Sequence, residues 1–225
     1  MFLFFASCVN ESDWAQPQSI GGFHQFRRFL KFERWIDQLK TEVPFSVVIR
    51  IVSERKRTAN GEDHRMSAAL LVSLCWEAGQ YSEALQILEE MIERYPDDVR
   101  SAIRKATLHL HSLDDPEEAL IWIGVALERA HRTGFFRREA LGDKARILLQ
   151  LGRGEELSDV LEEIMALKMI KDIPDIGRER DFVDRAPPGL IREEVLDRYN
   201  QFRPKRSSDT TADEPPEYEP PDDGS

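Results

Sequence analysis

The sequence predicts an all-α fold of stacked helical hairpins, on three observations. Residues 78–85, AGQYSEAL, read as a helix end, a tight turn and a second helix, and Pro96-Asp97-Asp98 stops that helix eleven residues later. The pattern then recurs: Ala84-Leu85 returns as Ala119-Leu120, 35 residues on, and Val72 and Thr107 in the preceding helices keep the same spacing. A third, looser copy follows at 38 residues, with Leu157 in the slot of Ala119, Ala145 in the slot of Thr107, and Gly152 ending a helix as Gly79 does. Two markers agree at each step, which identifies a repeat array and places the extra residues in 131–136.

Taken in order, residues 1–22 read as loosely ordered. The opening MFLFFASC has an apolar run of only about six residues with no Lys or Arg before it, too short for a secretory signal core. Residues 23–40 form an amphipathic helix, with Phe26, Phe29, Leu30, Ile36 and Leu39 at three- and four-residue steps. Arg27, Arg28, Lys31, Arg34 and Lys40 outnumber Glu33 and Asp37, so the helix suits either a cap on the repeat stack or an anionic membrane surface. Pro44 suits the first turn of a helix through about Arg57, with Phe45, Val48, Ile49 and Val52 on one face. The β-branched run 47–49 also fits a strand, but strict alternation fails. Residues 23–60 are thus a degenerate hairpin, closed by a loop, TANGED, at 58–63.

The three repeat hairpins run at about 65–78 with 82–95, 100–113 with 116–130, and 138–151 with 155–168. Ser82 with Glu83, and Asp115 with Pro116, Glu117 and Glu118, are helix starts: a cap, an early proline, then acids at the positive end of the helix dipole. Each hairpin carries an apolar seam (Leu85, Leu88, Ile92; Leu120, Ile123, Leu127; Leu157, Leu161, Ile164) that only stacking can bury. Residues 169–187, with Pro174, Gly177 and Pro187-Pro188, read as a loop, and 190–202 as a capping helix, so repeats and cap span 61–203. From 204 to 225 the chain turns acidic and proline-rich, a composition that does not form a core.

A net charge of −11 argues against general nucleic-acid binding, which needs a basic face. Two cysteines, Cys8 and Cys75, are too few for a disulfide framework, and no run approaches a membrane span; a cytoplasmic protein is the expectation. There is no Gly-rich phosphate loop and no zinc-type cysteine or histidine pair. His109 and His111 lie two residues apart on a helix and diverge by about 200°, so they cannot chelate one metal from that helix. No enzyme signature, cofactor site or metal site emerges.

On these residues the chain resembles the tetratricopeptide repeat family over roughly 65–168. The first copy carries Gly79, Tyr81, Ala84, Leu88 and Pro96, the second Ala119, Ile123 and Ala126, the third Ala145, Gly152 and Leu161. The family's first-helix Trp is missing from all three copies (Ala68, Ile103, Leu141), and Leu157 replaces a small packing residue, which would splay the third hairpin. The resemblance implies a right-handed solenoid and a non-catalytic interaction module, an adaptor or scaffold; a small assembly chaperone is the alternative. It implies a concave groove lined by the first helix of each hairpin, which takes a peptide or helix of another protein. Its candidate residues here are Met66, Ala69, Ser73, Trp76, Arg104, Lys105, Leu108, His111, Arg146 and Leu149, with Ser101 and Gly142 beside them. Ala69 and Leu70 stand where carboxylate-gripping members carry a base and an amide, so that mode is disfavoured. Arg104, Lys105 and Arg146 would suit an acidic segment, with Trp76 as an apolar anchor. The chain's own tail, EPPEYEPPDD at 214–223, is one candidate for that segment.

Overall fold

A computed structural model describes residues 20–171 and 182–202. Among these residues there are nine helices and no strand: α1 Ile20–Glu42, α2 Phe45–Thr58, α3 Gly61–Glu77, α4 Tyr81–Arg94, α5 Val99–Ser112, α6 Pro116–Thr133, α7 Arg137–Gln150, α8 Gly154–Lys171 and α9 Glu193–Phe202. The expectations for the acidic tail, for most of 1–22 and for the middle of the 169–187 loop lie outside the described residues. The chain divides into two compact units, Met1–Ser101 and Ala102–Ser225, with the division inside α5.

In the first unit α1 packs on α2, α2 on α3 and α3 on α4. The β-branched run 47–49 is helical, and Val48 and Val52, one turn apart, are fully buried. On α1, Phe32 and Ile36, one turn apart, are buried. Phe32 was not among the residues the periodicity singled out. Its ring stacks on Trp35 at 5.5 Å and carries the Arg55 guanidinium at 4.3 Å on its other contacts. The loop expected at 58–63 is shorter: Ala59 and Asn60 alone separate α2 from α3, because Glu62 and Asp63 start the next helix where its dipole favours acids.

The turn from α3 to α4 shows why Gly79 is needed. Its backbone is left-handed (φ 72°), while Gly79 N–H donates to Trp76 O at 3.0 Å and Gln80 N–H to Cys75 O at 2.8 Å. These two bonds satisfy carbonyls that the helix end would leave bare. The third hairpin repeats the device: Gly152 (φ 68°) donates to Leu149 O at 3.1 Å and Arg153 to Leu148 O at 2.9 Å. The middle hairpin places Asp114 in the equivalent slot, also left-handed at φ 53°. The expected Ser82 cap is not formed, since the tight turn brings α4 in at Tyr81 behind Gln80, with no side-chain cap bond. The Asp115 cap is formed: its Oδ1 accepts from Glu118 N–H at 3.1 Å, with Pro116 at the first helical position.

In the second unit α6 packs on α7, α7 on α8 and α8 on α9. Ala119 is fully buried, and so is its larger counterpart Leu157, which joins a core with Leu141, Ala145, Leu148, Leu161, Ile164, Val195 and Tyr199. The extra residues of 131–136 lengthen a helix rather than a loop: α6 has 18 residues against 14 in α4 and ends at a left-handed Gly134. The C-terminal segment is fastened by Ser158. Its hydroxyl donates to Gly154 O at 2.9 Å and accepts from Arg192 N–H at 3.0 Å. The Arg192 guanidinium reaches Asp159 at 2.9 Å, and Ile191, Val195 and Tyr199 bury the apolar face of α9.

Candidate functional site

The residues expected to line a partner groove fall on α3 in the first unit and on α5 and α7 in the second. On α3, Met66 is buried, whereas Ala69, Ser73 and Trp76 share one face and are half-buried. Ser73 turns its hydroxyl back to Ala69 O at 3.3 Å, so two small side chains lie beside an indole. On α5, Leu108 has no exposed surface and Lys105 is only 5% exposed, with its ammonium 3.8 Å from the Trp122 ring centroid. Trp122 in turn donates its indole N–H to Glu118 at 2.8 Å. Lys105 is thus held inward by a cation–π contact, and the basic patch expected from Arg104, Lys105 and Arg146 loses its middle member from the surface. Arg104, Arg146 and Leu149 are half-buried and His111 is exposed.

Arg146 bonds Asp143 at 3.3 Å, and its guanidinium lies 5.8 Å from the Phe182 ring centroid. Partial desolvation, then the nearby charge of Arg146, pulls the proton affinity of His111 below the ordinary histidine range. His111 thus feels the charge of Arg146, while Leu108 and Lys105 serve packing. His109 is only 12% exposed, with Nδ1 4.0 Å from Asp115. Among the described residues no three His, Cys, Asp or Glu side chains cluster as a metal site, and no helix is long and apolar enough to cross a membrane.

The first unit holds a second feature that sequence reasoning missed. The last turn of α2, the start of α3 and the end of α4 enclose a cleft of about 450 Å³ lined by Ser53, Lys56, Arg57, His64, Leu71, Glu90 and Arg94. His64, 3% exposed, places Nδ1 3.0 Å from the Tyr95 hydroxyl and Nε2 3.1 Å from Glu90 Oε1. Tyr95 donates to Gly61 O at 3.1 Å, and Lys56 pairs with the second oxygen of Glu90. Burial, then the charge of Arg94, lowers the proton affinity of His64 against the opposing pull of Glu90. Burial pushes Glu90 upward, but the hydrogen bond and charge of Lys56, together with His64, outweigh it and hold the carboxyl below its usual range. The one available signal was spacing: Lys56 and Glu90 lie 34 residues apart, about one repeat, and meet only because α2 packs on the first hairpin, whereas His64 and Tyr95, 31 apart, meet at the open end of that hairpin itself.

Residues 67–108 match the model of the tetratricopeptide repeat family, a segment covering α4, most of α3 and much of α5. No curated protein matches the chain. Among solved structures, the chain is similar to crystallised, nearly identical tetratricopeptide-like repeats assigned to a kinesin light chain of Podosopora anserina. That likeness has a TM-score of 0.55 at 13% identity and covers 78% of this chain and 94% of the other. The fold is accordingly a tetratricopeptide-like, all-α helical repeat of the solenoid class, a class that generally serves protein–protein interaction.

Proposed function

We propose that this protein is a non-catalytic interaction module, an adaptor or scaffold in the cytoplasm, that holds a peptide or helix of a partner protein on the first helices of its hairpins. The observation that carries the reading is the side-chain division on those helices. Leu70, Leu74, Leu141 and Leu148 go into the cores, while Ala69, Ser73 and Trp76 on α3, and His111 and Arg146 from α5 and α7, stay at the surface. An indole next to two small residues offers an apolar step for an anchor side chain, and a half-buried Arg offers a fork for an acidic one.

Site-specific photo-crosslinking tests it. A crosslinker at Ser73 or Leu149 should capture a partner protein in cells. The same group at Glu93, exposed on α4, should not. Capture that depends on Trp76 and Arg146 supports the reading. Equal capture from Glu93, or capture unaffected by Trp76→Ala with Arg146→Glu, overturns it.

A further inference from the structure

The cleft between α2, α3 and α4 is short of negative charge. Lys56, Arg57 and Arg94 line it with three positive charges; Glu90 answers Lys56, and Glu54 answers Arg57 through hydrogen bonds to both carboxylate oxygens. Arg94 has no carboxylate partner among the described residues, only the Tyr95 ring at 5.8 Å. The local sum is therefore one positive charge, or two when His64 is protonated.

The hydrogen-bond frame is already suited to protonated His64. Tyr95 gives its only proton to Gly61 O and Glu90 offers an acceptor, so an imidazolium donating from both nitrogens satisfies every partner. A neutral ring protonated at Nε2 leaves Nδ1 and Gly61 O sharing one hydroxyl proton, and one protonated at Nδ1 turns a bare Nε2 toward the Glu90 carboxylate. What opposes the charge is burial together with the positive Arg94 and Lys56 facing the ring. An anion seated against those two cations offsets their share of that opposition.

We propose that this cleft is a receptor for a phosphoryl oxyanion, gripped by the Arg94 fork and the Lys56 ammonium, with one proton taken up at His64 on binding. A dianion matches the two positive charges of the protonated site, whereas a single carboxylate leaves one unanswered. Leu71 and Ser53 complete the wall, and the volume exceeds that of a bare ion, leaving room for the group that carries the phosphate. The site uses first-unit residues only and does not depend on the partner surface proposed above.

The test is an NMR titration of the His64 ring in the full chain, in sulfate (dianionic throughout the range) and in chloride at matched ionic strength. The His64 midpoint should rise by about half a unit or more in sulfate, a roughly threefold preference of the anion for the protonated site. Arg94→Gln should abolish the rise; Arg34→Gln, which removes the same charge from α1, should not. Inorganic phosphate and N-acetyl-O-phosphoserine amide are then titrated separately. Tighter binding of the latter assigns the site to a phosphorylated side chain, and tighter binding of the former to the free ion. Equal midpoints in sulfate and chloride, a rise that survives Arg94→Gln, or binding of neither phosphate compound overturns the proposal.

Discussion

His64 and Tyr95 are held by each other as much as by their helices. Tyr95→Phe removes a donor to Gly61 O and the hydrogen-bond partner of His64 Nδ1, leaving a ring nitrogen unanswered in a buried setting. It should lower unfolding stability by about 1–2 kcal/mol in urea denaturation. The pH dependence has a defined sign. A histidine whose proton affinity is lowered on folding binds fewer protons in the native state than in the unfolded chain, so stability falls as pH drops through and below the ordinary histidine value. Glu90, also lowered, contributes stability that is present above the ordinary carboxylate value and lost below it as pH falls through its folded value. Acidification from pH 7.5 to 5.5 should therefore destabilise the protein, and His64→Gln should flatten that slope while leaving the later, carboxylate loss. Urea midpoints across the range decide this.

At the scale of the element, three kinds of glycine separate. Gly79 and Gly152 hold left-handed turns with open space around the missing Cβ, so an alanine there meets only backbone strain, about 1–2 kcal/mol each. Gly124 lies inside α6 with nothing near its missing Cβ, and Gly124→Ala should stabilise by about 0.5–1 kcal/mol. Gly154 is different: a Cβ would lie 2.0 Å from the backbone oxygen of Leu190. Gly154→Ala must push residues 190–192 away, breaking the Ser158–Arg192 bond and loosening α9. Hydrogen exchange should rise in α9 and in the first turn of α8, at a cost of about 1–3 kcal/mol. The left-handed turns were legible because Gly79 and Gly152 recur in register. The Gly154 contact was not, since it joins residues 36 apart through a segment with no repeat pattern.

Across the whole molecule, stability is carried hairpin by hairpin, because each seam is buried only by its neighbour. Removing residues 190–225 should expose Val160, Leu161 and Ile164 on α8 and destabilise the second unit selectively. Exchange in α7 and α8 should rise by an order of magnitude or more while α2 and α3 keep theirs. Uniform exchange throughout the chain would instead mark a single cooperative block.

Helix positions, the two glycine turns, the Asp115-Pro116 start and the repeat period were determined by the sequence alone, because each rests on contacts or conformations within about four residues. Only the tertiary structure decided which candidate side chains reach the surface. Met66, Lys105 and Leu108 differ from Trp76 and His111 in what a neighbouring helix or turn places against them, not in their own spacing. The same holds for the Lys56–Glu90–His64–Tyr95 cluster, whose members lie on three helices and at the end of the last one. Local periodicity specifies a helix face; the charge and burial of a side chain on that face depend on the partner that stacking delivers.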